Sequence, residues 1–292
     1  MITKSNSLEN SSSQIIYSND NDRQDILNLS VAKIKDLFKF SGLLVFRGFG
    51  VNHNQMKAFS EQFSSRFIGD TGRAIVDFSD GYVRLVDPEM HDIGPHCEHA
   101  HTPYRVDAIW FCCAVPAAYG GETLFWDGVQ VWKELNEELK QLFVSKKLCF
   151  SNQYSADQWQ YFLGSGASID DAKRALDGLK GVNYWFNKEQ SLCIEYVCPA
   201  VVKTKYSNQD AFANSLVNLY TSRGENVKFE DGSLIPDTVI RDIKEVMDRL
   251  TEEVQWQSGD LVMVDNSRFM HGRRAFNDNR RKILVVLSEL NF

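Results

Sequence analysis

Pro95-His96-Cys97-Glu98 is the stretch that decides how the rest of the chain is read. His96 and Glu98 are two residues apart. In an extended chain, side chains at i and i+2 point to one face. An imidazole and a carboxylate then converge on one point, and Cys97 turns away. One more donor completes a two-histidine, one-carboxylate face, the set that holds non-haem Fe(II) and leaves positions open for O2 and a second reactant. The chain has six histidines, at 53, 91, 96, 99, 101 and 271. His271, in Val264-Asp265-Asn266-Ser267-Arg268-Phe269-Met270-His271-Gly272, is the expected third donor. His91, His99 and His101 are expected in a polar loop beside the site, because only His96 has a carboxylate at the right offset and a downstream partner.

The wider chain fits a globular protein. It has 292 residues, 43% hydrophobic, 24% charged and 12% aromatic. That length predicts one large domain or two small ones with a substantial core. The net charge of −7 gives no electrostatic case for nucleic acid or for an acidic membrane surface. No apolar run approaches the ~20 residues of a membrane span. The beginning lacks a basic-then-apolar signal pattern. Residues 1–20 are rich in Ser and Asn and are expected to be disordered, with one domain over 21–292. The six cysteines form no CxxC pair, so reduced thiols in a cytoplasmic protein are expected.

Helical spacing predicts amphipathic helices over 31–40 and 55–67, around an apolar strand at Leu43–Phe46. Tyr82–Val86 reads as a strand leading to the His96 segment. Ala108–Val115 is continuously apolar, as in a strand buried on both faces. Thr123–Trp126 resumes an extended chain, and 131–143 looks helical. Residues 147–255 carry a dense set of aromatic residues and three further helical patterns, at 170–179, 210–223 and 237–254. We read this stretch as an insertion covering a site, with Tyr154 to Trp185 as a candidate lid. Leu261–Val264 and Lys282–Leu287 are strands again. Strand-rich parts so far apart must pair non-locally. The fold class predicted is mainly β with flanking helices, a double-sheet jelly roll with a helical and aromatic insertion.

Arg281 adds chemistry to this frame. An arginine at the start of a final apolar strand must reach solvent or find an anion. Its planar fork matches a carboxylate with two parallel hydrogen bonds. Arg280 then points the opposite way. Thr123 offers a hydroxyl to the same carboxylate.

These pieces together resemble a family. The motifs are Pro95-His96-Cys97-Glu98, Gly120-Gly121-Glu122-Thr123, Trp256-Gln257-Ser258-Gly259-Asp260 and Asp265-Asn266 with His271-Gly272-Arg273 and Arg280-Arg281. Their order and spacing are similar to the taurine-dioxygenase-like branch of the Fe(II)/2-oxoglutarate oxygenases. Gly42-Leu43-Leu44-Val45-Phe46-Arg47-Gly48-Phe49 is similar to that family's first strand. The resemblance runs from about residue 42 to the end and is weakest in the insertion. It implies a double-stranded β-helix with iron on His96, Glu98 and His271. It implies 2-oxoglutarate chelating that iron, its 5-carboxylate on Arg281 and Thr123. The commoner first motif is HxD; here it is HxE. The run from His96 to Asp107 resembles clavaminate synthase and the free arginine and asparagine β-hydroxylases, which points to an amino acid or a derivative as substrate. The expected reaction is hydroxylation of a small molecule, or its desaturation or cyclisation, with release of succinate and CO2.

Tyr82, Arg84, Arg105, Asn152, Tyr184 and Arg273 are candidate substrate contacts. Two other readings compete. One is a cupin-like Zn or Mn hydrolase or isomerase using His96, His99 or His101, and His271. The other is a catalytically silent jelly-roll binding protein. The first leaves Arg281 and Thr123 without a role, and the second leaves an intact ligand set unused.

Overall fold

Ser30 opens the first helix by accepting the Lys33 amide on its hydroxyl, and Gly42 closes it at φ 75°. A side chain at Gly42 would meet the Phe269 ring at 2.9 Å, so glycine is required for both conformation and space. The computed structural model describes residues 13–18, 24–69, 73–76, 81–164 and 166–292. In chain order its elements begin with β1 (Gln14–Tyr17), α1 (Val31–Ser41), β2 (Leu43–Arg47), α2 (His53–Glu61), β3 (Ser64–Ile68) and β4 (Arg84–Leu85). Then come β5 (Ile93–His96), β6 (Ala108–Val115), β7 (Thr123–Asp127), α3 (Gly128–Glu134), α4 (Glu137–Ser145), β8 (Leu148–Tyr154), α5 (Ala156–Leu163) and α6 (Ile169–Leu176). The middle continues with β9 (Val182–Phe186), β10 (Leu192–Cys198), β11 (Val202–Lys203), β12 (Asp210–Ala211), α7 (Leu216–Arg223), β13 (Val227–Phe229) and α8 (Asp237–Arg249). The chain ends with β14 (Glu252–Val254), β15 (Leu261–Asp265), β16 (Phe269–Arg273) and β17 (Lys282–Leu290).

Two sheets face each other. The larger has the order β1-β2-β15-β6-β17-β3, with β4 added on β17. The smaller has the order β14-β7-β16-β5. Their facing sides are filled by residues such as Val45, Ile109, Phe111, Phe125, Val264 and Val285. The outer side of the larger sheet is covered by α1, α2 and the turn after α2, through Phe38, Phe59 and Phe63 against Phe46 and Trp110. Strands β2, β6 and β15 are therefore apolar on both faces, which is why they read as unbroken hydrophobic runs. This is the jelly roll, with pairings such as Val45 to Val262 that span most of the chain.

The structure differs from expectation in five places. Residues 14–17 form a strand parallel to β2, inside the segment expected to be disordered; residues 1–12, 19 and 20 lie outside the described residues. The helix expected over 55–67 stops at Glu61, and Ser64–Ile68 pair with β17, because an open strand edge outweighs helical spacing. The helix expected over 131–143 is two helices, broken at the extended Leu135 (ψ 142°) and restarted by the Asn136 side chain. The helices expected from 210 and to 254 are shorter, since β12 and β14 take residues at those ends. Finally, 147–255 is more than a cover. Strands β13, β8 and β10 of the sheet β13-β8-β10-β9 and helices α7 and α8 share one core with Leu124, Trp126 and Met270, on the back of the smaller sheet. Only the small cluster around Trp159, Ala172 and Leu192 stands apart from it. No helix among the described residues is long and apolar enough to cross a membrane.

Candidate active site

Strands β5 and β16 run antiparallel with His96 directly opposite His271. The two rings are 4.2 Å apart, centre to centre. Glu98 Oε2 lies 3.8 Å from His271 Nε2. Ligand atoms of His96, Glu98 and His271 all fall within 4.8 Å of one another. Two imidazoles and a carboxylate at that separation can share one divalent cation.

Glu98 reaches this point differently from expectation. Strand β5 ends at His96, and Glu98 sits in the turn that follows, with His99 beyond it at φ 57°. Simple alternation along a strand therefore does not place the carboxylate. Asn266 does: its side-chain oxygen accepts the Glu98 amide at 2.8 Å, while its amide nitrogen donates to Glu98 O and Val106 O, both at 2.9 Å. Asn266 is fully buried just past β15. Cys97 turns the other way, its thiol donating to Phe269 O.

The protonation states suit a metal. His96 Nδ1 lies 3.0 Å from Gly94 O, which makes it the N–H donor and leaves Nε2 for a cation. Burial lowers the pKa of both His96 and His271, the latter well below the usual imidazole range, so both are neutral at neutral pH. Burial alone would raise the Glu98 carboxyl. Burial is the largest single influence, but the Arg73 guanidinium, 2.9 Å from Oε2, and then His96, His271 and His99 together outweigh it and hold the carboxyl well below the usual carboxylate range. His271 Nδ1 is buried with no hydrogen-bond partner. Neutral imidazoles, an ionised carboxylate and oxygen-and-nitrogen donors fit ferrous iron.

A cavity of about 450 Å³ opens from His96 and His271 toward Thr123, Arg273 and Arg281. Thr123 faces Arg273 across β7 and β16, while His271 faces Phe125. Thr123 is thus two residues along from the level of His271, or about 7 Å at ~3.3 Å per residue. Its hydroxyl oxygen accepts the Trp256 indole N–H at 3.0 Å, so its own proton is free to be donated elsewhere. Arg281 immediately precedes β17 and is 8% exposed. Its Nε and Nη2 both donate to Gly121 O, and its guanidinium lies over the Phe276 ring. Burial, then Arg273, lowers its pKa to about 10, so it stays charged. Gly121 (φ 73°) permits this approach, since a side chain there would meet Arg281 Nε at 2.8 Å. Arg280 points outward and pairs with Asp278.

Of the candidate substrate contacts, Arg273 lines this cavity, though its guanidinium is spent on the backbone oxygens of Asp87, Glu89 and His91. The other five lie elsewhere. Arg84 donates to Gly81 O and Arg73 O. Arg105 donates to Asn266 O at the base of the Glu98 turn. Tyr184 donates to Asp177. Tyr82 packs on the Phe67 ring. Asn152 lines a second cavity, of about 390 Å³, with His101 and Tyr196. His91 is exposed beside Glu89, and His99 Nε2 lies 3.8 Å from Glu98 Oε1. Two residues of the site escaped the sequence reading. Asn266 stood in a quoted motif without a role. Arg73 stands in no motif or periodic stretch, so nothing local marked it.

The sequence model of the taurine catabolism dioxygenase TauD, TfdA family matches residues 19–287. The chain belongs to that family. It is an Fe(II)/2-oxoglutarate-dependent oxygenase, and a small molecule is its substrate. Similar proteins include a clavaminate synthase-like protein of Arabidopsis thaliana, 23% identical over 85% of this chain and 82% of that one. Another is the 3-((Z)-2-isocyanoethenyl)-1H-indole synthase of Fischerella ambigua, 20% identical over 90% of this chain and 87% of its own length. Among solved structures, AAD-2 in complex with Mn(II) and N-oxalylglycine superposes with a TM-score of 0.62, at 16% identity, over 98% of this chain and 96% of that one. That likeness confirms the jelly-roll fold.

Proposed function

We propose that His96, Glu98 and His271 hold Fe(II), and that Thr123 and Arg281 hold the 5-carboxylate of 2-oxoglutarate. When bound, iron supplies the O2 chemistry that converts 2-oxoglutarate to succinate and CO2 and oxidises a C–H bond of the substrate. The chain's own residues orient and shield the reactants. Gly94 O turns His96 Nε2 toward the metal. Asn266 fixes the Glu98 turn. Thr123, about 7 Å along the sheet from the histidine level, and Arg281 set where the five-carbon co-substrate ends. Phe111, Val86 and Ile283 supply the apolar wall of the cavity. The observation that carries this reading is the His96–His271 pair, with Glu98 at one end of a cavity and Thr123 and Arg281 at the other.

The substrate we propose is an amino acid or an amino-acid-derived metabolite. The likeness of the His96–Asp107 run to clavaminate synthase and the amino-acid hydroxylases supports it, as does the clavaminate synthase-like relative. Hydroxylation is the proposed outcome, with desaturation or ring closure as products of the same site. We place the enzyme in the cytoplasm, on the six free cysteines, and without nucleic acid or membrane as partner. The test is succinate release under air with Fe(II) and 2-oxoglutarate, then a mass-spectrometric screen of amino-acid derivatives for products that gain one oxygen or lose two hydrogens. Slow succinate release without substrate, raised by one compound of that class, is the expected result. No succinate with Fe(II), or turnover with Zn(II) and no O2, would overturn the proposal and revive the cupin-like reading.

A further inference from the structure

We propose that the molecule oxidised is an amino-acid derivative with an uncharged aromatic side chain, and that this ring lies in the second cavity, of about 390 Å³. This rests on the site reading above and names the substrate class within it. The cavity is a slot. One wall is a face of strands β8, β10 and β9, where Tyr196 stands directly opposite Val182 and Ile194 lies two residues along β10 on the same side. The other wall is Leu176 of α6 with Pro103 and Tyr104 of the turn over 101–104. Its size falls within the roughly 300–1,000 Å³ of small-molecule sites.

The slot is tied to the iron site through one turn. His99 Nε2 lies 3.8 Å from Glu98 Oε1. The Thr102 amide and hydroxyl both donate to His99 O, at 3.0 and 2.9 Å. The turn that walls the slot therefore starts beside a proposed metal ligand. Cys198, at the end of β10, donates its thiol to Ala100 O and holds the sheet to the same turn. The two cavities differ in charge. Arg73, Asp87, Arg273 and Arg281 line the first. No Asp, Glu, Lys or Arg among the described residues lines the second, and its His101 and Asn152 already have partners. A charged side chain entering the slot would lose its water and meet no counter-ion, which is strongly unfavourable. An uncharged ring gains by the same move, because it leaves water for apolar walls. Tyr104 and Tyr196 add ring faces and edges for aromatic contact, and a slot between a sheet face and a turn suits a planar group. The first cavity thus takes the charged co-substrate and the second the uncharged body of the substrate.

The test uses indole as an uncharged aromatic probe, tert-butanol as an aliphatic one and methylguanidinium as a cation. Each is added to full-length protein saturated with Mn(II) and 2-oxoglutarate without O2. Saturation-transfer NMR reads binding, and relaxation of the probe's protons by Mn(II) reads closeness to the metal without turnover. We expect indole to bind at least tenfold more tightly than either other probe and to be relaxed by Mn(II). Ile194→Trp fills the slot and should weaken indole at least tenfold. Tyr104 is 57% exposed, so Tyr104→Ala leaves the fold in place, and it should weaken indole at least threefold. The 2-oxoglutarate affinity should stay within twofold of wild type in both variants. Unchanged indole binding in Tyr104→Ala overturns the assignment, even where Ile194→Trp fails to fold. So does tert-butanol or methylguanidinium that binds as tightly as indole. Indole that is lost in the variants but never relaxed by Mn(II) overturns the link between the slot and the reaction. A tenfold loss of 2-oxoglutarate affinity in Tyr104→Ala overturns the assignment too and gives the slot to the co-substrate. Wild type that takes up neither Mn(II) nor 2-oxoglutarate overturns the parent reading, and this one with it.

Discussion

Arg281 shows how much one side chain carries. It is buried, charged and directed at the cavity by Gly121 O, so its value lies in an anion that comes to it. A charge-assisted pair of hydrogen bonds contributes ~2–4 kcal/mol on the general scale, so Arg281→Ala should raise the 2-oxoglutarate requirement about 30- to 1000-fold. Succinate release against 2-oxoglutarate concentration measures this, and an unchanged requirement would contradict the role. The cysteines make a different residue-scale prediction. Burial pushes the Cys97 thiol up to about 11 and those of Cys112, Cys113 and Cys198 up to about 12. Thiolate is the reactive form, so these four should resist a thiol reagent at pH 8 in the native protein. Cys193, half-buried, should react first, and all six only on unfolding. Rapid native labelling of three or more would show that the core is not closed as described.

At the scale of elements, the site depends on joints between strands. Asn266 ties the end of β15 to the Glu98 turn through three hydrogen bonds. Asn266→Ala should weaken metal binding ~10- to 100-fold, as loss of a group that orients a ligand typically does, with little change in 2-oxoglutarate affinity once metal is saturating. Metal titration of the variant checks this. A second joint is the ion pair between Arg47, at the end of β2, and Asp260, just before β15 (2.7 Å, the carboxylate 1% exposed). Asp260 also accepts the Gln257 amide at 2.9 Å, so it shapes the turn as well. Arg47→Met leaves that carboxylate buried and unpaired, at a cost of ~3–5 kcal/mol. Denaturant unfolding should show it as a lower midpoint with the slope unchanged. A loss under 1 kcal/mol would mean water reaches Asp260.

For the whole molecule, legibility followed sequence distance. Ala108–Val115 and Leu261–Val264 were readable because a strand buried on both faces has no polar alternation to hide it. The histidine pair was readable because histidines are few and only one has a carboxylate two residues on. Its physical reason was partly different, since Asn266 and not strand alternation positions Glu98. What stayed hidden depends on contacts between distant segments. Ser64–Ile68 has helical spacing yet becomes a strand, because β17 offers it an edge. The 147–255 stretch looked like a cover, but α7 and α8 bury residues on the back of the smaller sheet, which no local pattern records. Arg73 reaches Glu98 across a gap in sequence that carries no motif.

All of this turns on whether β5 and β16 bring His96 and His271 to one ferrous ion with Glu98. Anaerobic calorimetric titration of Fe(II) into the wild type and into His96→Ala, Glu98→Ala and His271→Ala tests that most directly. We expect one iron per chain in the wild type and loss of that binding in each variant, with circular dichroism unchanged. A His271→Ala protein that still binds one iron with wild-type affinity would contradict the shared site.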